Sequence, residues 1–566
     1  MLTRYFYLLL FVVWFPSFVS AINQYDILIN EVMEDPTRNG DQTLGLPNVE
    51  YIELYNRRET AIELDQYTLN IGTKKITFSP YLFPPKSFLL LTESDNTLLE
   101  QYGKVVFFSN FPTLPSAQTI VLKDLFGETI DAIAYDQEWY QSTDKAKGAY
   151  ALERINPSAP CIGKSNWIAS TALIGGTPGK ENDSLVVIKD TSAPLLINSY
   201  PIATNQVRLT FDKAMQVASI LDPENYQLSN NTIVGVSLTN AIFSEVLLEL
   251  ATDLSADRIQ ELALSSTIKD CIDNPITEHL FPMALPQQAT TSDILINEIL
   301  FNPQVGGNDF VELYNASNKI LDLSDLAIVN QQRNDAAIPI IVERLFFPNE
   351  FIVLTESPTD ILERYTVDNP INLIAHDLPS LGDEAGNITV FNDALVIDQL
   401  DYLETFHANL LSNTEGVSLE RISSTKDSQD PSNWYSAAAT AGYATPATHN
   451  SQNLPASLPT SNHHFQFSTK TISPDGDGYA DFLQIDYTFE EIGNVLNIAI
   501  YDAVGHLVQS IAQDDLAAIS GGYQWNGSTL DGQKVPLGIY VVWIEYFNQL
   551  GETKRLKEAV VVAGKL

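Results

Sequence analysis

Asp26-Ile-Leu-Ile-Asn-Glu31 returns as Asp293-Ile-Leu-Ile-Asn-Glu298, and the echo continues in the same order for well over a hundred residues. Glu50-Tyr-Ile-Glu-Leu-Tyr-Asn56 is answered by Asp309-Phe-Val-Glu-Leu-Tyr-Asn315, and Phe88-Leu-Leu-Leu-Thr-Glu-Ser94 by Phe351-Ile-Val-Leu-Thr-Glu-Ser357. Leu152-Glu-Arg-Ile155 pairs with Leu419-Glu-Arg-Ile422, Asn166-Trp167 with Asn433-Trp434, and Thr177-Pro178 with Thr445-Pro446. A repeat of this length is a duplicated domain, not a solenoid unit of a few tens of residues. Duplicated modules on one chain usually add reach or avidity and seldom build a single catalytic centre.

The repeated stretches are short, rich in β-formers, and bounded by Gly, Pro, Asn and Asp, which is the pattern of sandwiches or barrels. In the first copy Ile27 to Val32, Tyr51 to Leu54, Ser87 to Leu91, Thr119 to Leu122 and Thr129 to Ala134 read as strands. Leu98 to Tyr102, matched by Ile361 to Tyr365, reads as one short helix. The expected class is therefore all-β, a tandem array of Ig-like β-sandwich modules. Its divisions are a signal peptide at 1–21, a first repeat at 22–185, a different unit at 186–288, the second repeat at 289–451, a linker at 452–464 and a last β unit at 465–566. The middle unit opens on Asp190-Thr-Ser-Ala-Pro194, and in Gln206-Val-Arg-Leu-Thr-Phe211 the alternation of Val207, Leu209 and Phe211 places apolar side chains on one strand face.

Arg4 followed by the apolar run Tyr5 to Phe18 and by Val19-Ser20-Ala21 predicts a secretory signal cleaved after Ala21. Pro16 interrupts the run, which is short for a membrane span, and no cysteine follows the site as a lipoprotein would need. The mature chain is expected to have no integral membrane span.

Of the 566 residues, 45% are hydrophobic, which predicts folded domains, and 71 acids against 31 bases give a formal net charge of −40. That field repels nucleic acid and anionic membrane surfaces, which makes both poor partners, while it attracts divalent cations. Two cysteines, Cys161 and Cys271, are too few for a disulfide scaffold. They fall in different expected modules, so a bridge would staple two domains; two unpaired buried thiols remain the alternative.

The duplicated unit, through its Ile-Asn-Glu, Glu-Leu-Tyr-Asn, Leu-Thr-Glu and Leu-Glu-Arg … Asn-Trp … Thr-Pro segments, resembles the lamin-tail domain, an immunoglobulin-like sandwich of nuclear lamins and many secreted bacterial proteins. The middle unit, with its Asp270-Cys-Ile-Asp-Asn274 turn, resembles a bacterial Ig-like domain. The last unit carries Ser473-Pro-Asp-Gly-Asp-Gly478, Ile500-Tyr-Asp-Ala-Val-Gly505, Trp525-Asn-Gly527 and Pro536-Leu-Gly-Ile-Tyr540. It resembles the immunoglobulin-like domains of hook-capping proteins and of C-terminal sorting domains in type IX secretion. These resemblances imply a secreted or cell-surface bacterial protein, with the type IX secretion machinery as a partner.

Asp475-Gly-Asp-Gly-Tyr-Ala-Asp481 is the candidate metal site. Asp475, Asp477 and Asp481 alternate with glycines that permit a tight loop, a pattern able to surround calcium with oxygens. It departs from an EF-hand at Tyr479 and Asp486, and the competing reading is a turn whose carboxylates cap their own backbone. Asn30-Glu31 with Glu53, repeated as Asn297-Glu298 with Glu312, forms a candidate carboxylate pair for metal or acid–base work. Its structural alternative has the acids satisfying backbone groups or an arginine, with Arg154 and Arg421 available.

Nucleophile elbows, His-Glu-x-x-His and Gly-rich phosphate loops are missing, and the first copy contains no histidine, the earliest in the chain being His279. His376 and His407 are expected at the surface, and Trp167 and Trp434 in the sandwich cores rather than as ligand-stacking platforms. No catalytic residue and no certain cofactor is assigned, and no segment is left to house a catalytic domain. The expected function is that of a non-catalytic extracellular scaffold or adhesin recognising a surface glycan or protein. The alternatives are an accessory chain of a secreted hydrolase and a calcium-dependent surface-layer component.

Overall fold

The computed structural model describes residues 22–564, apart from 39, 41, 257, 334, 335 and 455–463. The expected signal segment and most of the expected linker lie outside the described residues. The chain divides into two compact units, residues 1–283 and 284–566. The helices among the described residues are short, the longest being Pro358–Arg364, so the protein is all-β.

The first unit begins with the first copy. Its larger sheet has six strands in the order Trp167–Ala169, Leu152–Arg154, Ile27–Met33, Tyr51–Asn56, Phe88–Glu93, Val105–Phe108. The smaller sheet has Thr129–Tyr135, Gln118–Lys123, Thr68–Ile71 and Lys74–Thr77. Neighbours are antiparallel except the edge pair Phe88–Glu93 and Val105–Phe108, which is parallel and needs a crossover; the one-turn 3-10 helix Thr97–Gln101 lies on it. Every residue of Ile27–Met33 is buried, a pattern that strict alternation does not predict. Both faces of the sheet are covered. Ile27, Ile29 and Val32 join Ile52, Leu54, Leu69 and Leu122 in the inter-sheet core. Met33 packs on the opposite face with Leu46, Val49, Tyr51, Leu90 and Leu99.

The middle module pairs a four-stranded sheet with a three-stranded one. Val207, Leu209 and Phe211 are buried as their alternation requires. Cys161 and Cys271 form a disulfide, so the bridge between modules that the sequence left open exists. Beside it Tyr25 and Leu28 of the first copy pack with Phe243 of the middle module.

In the second unit the six-stranded sheet runs Leu373–Ala375, Phe351–Thr355, Phe310–Asn315, Ile294–Leu300, Leu419–Arg421, Trp434–Ser436. This is the first copy's order strand for strand, with the parallel edge pair retained. The crossover helix is Pro358–Arg364, with the Ser357 side chain capping Asp360 N. The last module packs a three-stranded sheet on a five-stranded one around Trp525, Tyr540, Ile498 and Ile544. Val495, Leu516 and Phe547 of that module meet Ala408, Leu411 and Tyr435 of the second copy.

Candidate functional site

The Ile-Asn-Glu strand carries a β-bulge. Ile29 stands opposite Leu54 and Glu31 opposite Glu53, leaving Asn30 as the extra residue. A bulge breaks the period-2 alternation and turns two consecutive side chains to one face. Asn30 and Glu31 therefore both face away from the inter-sheet core. Glu31 also stands opposite Glu153 on its other neighbour, so Glu53, Glu31 and Glu153 form one row across three central strands. All three are fully buried. In the second copy the same bulge, between Ile296 and Glu298, creates the row Glu312, Glu298, Glu420, also fully buried.

A segment beginning at Thr177 closes over the first row. Thr177 N donates to Glu31 Oε1 at 2.9 Å, and Tyr51 Oη donates to the same oxygen at 2.7 Å. Gly179 N donates to Glu53 Oε2 at 2.5 Å, and Asn30 Nδ2 donates to Glu53 Oε1 at 2.9 Å. Gly179 sits at φ +79, and a Cβ there would meet the Tyr102 carbonyl oxygen at 2.1 Å, so the first copy needs glycine here, whereas Ala447 holds the same left-handed turn at φ +63 in the second. Asn182 locks the segment by donating to the Arg154 carbonyl at 2.9 Å and accepting from Asn30 Nδ2 at 2.8 Å. Thr445, Ala447 and Asn450 make the corresponding contacts in the second copy.

Thr177 Oγ1 lies 3.2 Å from Glu31 Oε2 and 2.9 Å from Glu153 Oε1. A hydroxyl has one proton to give, so the second contact calls for a proton on a carboxyl. Burial, with repulsion from Glu153, pushes the Glu31 carboxyl up to about 7. Burial and Glu31 push Glu53 well above the carboxylate range. In the second copy burial and Glu420 push Glu298 up to about 8, burial and Glu298 push Glu312 well above its ordinary value, and burial raises Glu420.

The expected arginine partners are not partners of these glutamates. Arg154 and Arg421 occupy the other face of the sheet, because Leu152-Glu-Arg alternates about Glu153. Arg154 Nη2 pairs with Asp131 at 2.7 Å, both fully buried, and its Nε donates to the Ile29 carbonyl at 2.8 Å. Asp131 in turn accepts from Ile29 N at 2.7 Å. The pair thus satisfies the backbone groups that the bulge withdraws from the ladder. Arg421, Asp398 and Ile296 repeat the arrangement. Trp167 and Trp434 are core residues stacked beneath these guanidinium groups at 4.7 and 5.1 Å. The roles of Asp131, Asp398, Glu153, Glu420, Asn182 and Asn450 were missed from sequence. The echo of Ile130-Asp131 in Ile397-Asp398 was the available signal.

His376 and His407, expected at the surface, are buried instead. His407 packs against Phe301 and its Nδ1 lies 2.8 Å from Ser436 Oγ, in a closed apolar setting that pushes the imidazole down to about 4. The serine is spoken for by Ala408 N at 2.9 Å. Neither this pair nor the glutamate rows offers a reacting atom to a substrate, because each is sealed on every side.

Asp475, Asp477 and Asp481 do come together, with one oxygen of each within 4.8 Å of the others. Asp481 accepts from Gly476 N and Gly478 N, both at 2.7 Å, and Asp477 accepts from Tyr479 N at 2.9 Å. The glycines at φ +82 and +88 supply the bend.

Residues 20–137 match the Lamin Tail Domain family, and residues 466–561 match the CHU_C type IX secretion signal domain. No curated protein matches the chain. Among solved structures, PorZ of Porphyromonas gingivalis, a surface component of the type IX secretion system, is 10% identical over 91% of this chain and 74% of its own, with a TM-score of 0.17. Latent PorU of the same organism is 10% identical over 71% of this chain, which spans only 35% of PorU, with a TM-score of 0.15. A Bacteroides ovatus SGBP-B, solved with a mixed-linkage heptasaccharide, is 9% identical over 83% of this chain and 86% of its own, with a TM-score of 0.15. Likenesses at these scores say nothing about what this chain binds. No helix among the described residues is long and apolar enough to cross a membrane. The chain is an all-β modular protein with a lamin-tail domain near its start and, at its end, a type IX secretion signal domain that marks it for export to the cell surface.

Proposed function

We propose that the exported chain is a non-catalytic surface scaffold or adhesin that displays its lamin-tail-like copies to a glycan or protein ligand. One observation carries the reading. The carboxyl groups best suited by type to acid–base chemistry, Glu31 with Glu53 and Glu298 with Glu312, are fully buried in both copies. Catalysis requires a group within reach of the substrate, whereas a satisfied buried network fixes one fold and presents the surface around it. Strand edges and loops at the sandwich ends are then the recognition elements.

A glycan array probed with residues 22–566, followed by a reducing-end assay on every glycan retained, tests this. Binding without release of reducing ends is expected. Release by the parent chain that disappears in Glu31→Gln would establish the hydrolase alternative instead.

The proposal extends to calcium at Asp475, Asp477 and Asp481, whose convergence within 4.8 Å would suit a hard cation. A higher melting temperature in millimolar calcium than in chelator, lost in Asp481→Asn, is the expected result; equal melting would leave the loop a self-capped turn.

A further inference from the structure

In a chain with 71 acids and 31 bases, three of the bases meet at one cavity of about 630 Å³ in the first copy. Arg57, Arg58 and Lys86 line it with Tyr55, Asp26 and Glu59. The duplication separates what the fold needs here from what it does not. Arg58 pairs with Asp26 at 3.5 Å, and in the second copy Lys319 pairs with Asp293, the counterpart of Asp26, at 2.6 Å. Both copies keep a cation on this aspartate, though from different positions, since Ser317 is the counterpart of Arg58 and Thr60 that of Lys319. Arg57 and Lys86 have no such counterpart, since Ala316 and Asn349 take their places.

Arg57 is half-buried and makes no ion pair among the described residues; its guanidinium donates from Nη1 to the Tyr25 carbonyl at 3.2 Å. The fully buried arginines of the two copies, Arg154 and Arg421, each have a carboxylate. A guanidinium drawn partly out of water is costly to keep charged, and burial, then the nearby Arg154, push its proton affinity down against the opposing pull of Asp26 and Asp131, neither of which it contacts directly. Lys86, with a side chain about half exposed at 48%, lies at the rim, bonded to the Arg57 carbonyl at 2.6 Å and paired with Glu59 at 3.1 Å. Tyr55, stacked on Phe88 at 4.9 Å, gives the wall one aromatic surface. The rest of the wall mixes donors with the acceptors Asp26, Glu59 and Ser158.

We propose that this cavity binds the carboxylate of a uronic-acid-type saccharide, with Arg57 as its principal partner and Lys86 as the second cation. The guanidinium fork matches a carboxylate in geometry as well as charge. The acceptors suit sugar hydroxyls, and the tyrosine ring suits the apolar edge of a pyranose. The volume lies within the ordinary range for a small-ligand site. Repulsion from the net charge of −40 is screened beyond about 8 Å at physiological ionic strength, so the local cations decide. The inference deepens the display reading and rests on it for a non-catalytic role, naming the ligand class that the first copy alone would take.

Calorimetric titration of the purified mature chain with trigalacturonate tests it, with neutral trigalactose and a triglutamate peptide as comparisons. Saturable binding of trigalacturonate, none of trigalactose, and at least a tenfold loss in Arg57→Met are expected. Lys86→Met, at an exposed side chain, should weaken binding severalfold and gives the same comparison if Arg57→Met lowers the melting temperature. Absence of saturable binding at millimolar trigalacturonate, or binding indifferent to both variants, overturns the proposal. Equal binding of triglutamate overturns the saccharide assignment. A negative titration would leave the array result for the whole chain standing, so the two readings fail separately.

Discussion

Tyr51, on the strand Tyr51–Asn56, and Ser418, immediately before the strand Leu419–Arg421, hold the equivalent atom of equivalent glutamates from opposite sides. Tyr51 Oη donates to Glu31 Oε1 at 2.7 Å in the first copy, and Ser418 Oγ donates to Glu298 Oε1 in the second. The counterpart of Tyr51 is Phe310, and the counterpart of Ser418 is Ala151. The donor has moved to the other side of the glutamate's strand and the bond has been kept, as expected where a buried carboxyl must be satisfied.

Tyr51→Phe should therefore cost about 1–3 kcal/mol, the range for removing one partner of a buried polar group. Adding Ala151→Ser should recover most of the loss, while Ala151→Ser alone should not stabilise. Urea unfolding of the four chains of this double-mutant cycle checks the coupling. Strictly additive effects would contradict the exchange.

The glutamate rows set a pH dependence of defined sign. Glu31 and Glu298 are raised by burial to about 7 and about 8, above the ordinary 4.5 that they regain on unfolding. Between those values the folded state holds more protons than the unfolded state, so raising the pH favours unfolding. Stability contributed by these groups should be complete below about pH 4.5 and be lost as pH rises through 7 to 8, by an amount on the order of a few kcal/mol. Urea midpoints measured from pH 5.5 to 8.5 should fall, and the slope should be shallower in Glu31→Gln and Glu298→Gln.

Reducing the Cys161–Cys271 bridge should lower the melting temperature of the first unit. The bond closes a separation of 110 residues, and the loss expected for a natural disulfide is about 2–4 kcal/mol. Melting with and without reductant, with Cys271→Ser as the genetic equivalent, measures it. Coincident curves would mean that the Tyr25, Leu28 and Phe243 packing alone joins the modules.

Removing residues 465–566 should retain the protein inside the cell envelope, because the type IX secretion signal domain lies there. Fractionation with an antibody to the first copy reads the outcome. Normal surface display of the shortened chain would show the domain to be structural only.

Strand positions were legible because apolar alternation and turn residues are local. Ile27 to Val32 and Tyr51 to Leu54 were read within two residues of the strands Ile27–Met33 and Tyr51–Asn56. The site was half legible: repetition exposed Glu31, Glu53, Arg154 and Trp167, but not who faces whom.

By itself the sequence determined an all-β tandem architecture, the duplication, and a strongly acidic composition. The tertiary structure decided that a bulge at Asn30 turns Glu31 towards Glu53 and Glu153, that Arg154 pairs across the sandwich with Asp131, and that Cys161 meets Cys271. The reason is one of range. Alternation says which face a side chain takes, whereas what covers that face comes from residues a hundred or more positions away, such as Thr177 over Glu31. Burial beneath that cover is what lifts the Glu31 and Glu53 carboxyls above their ordinary range.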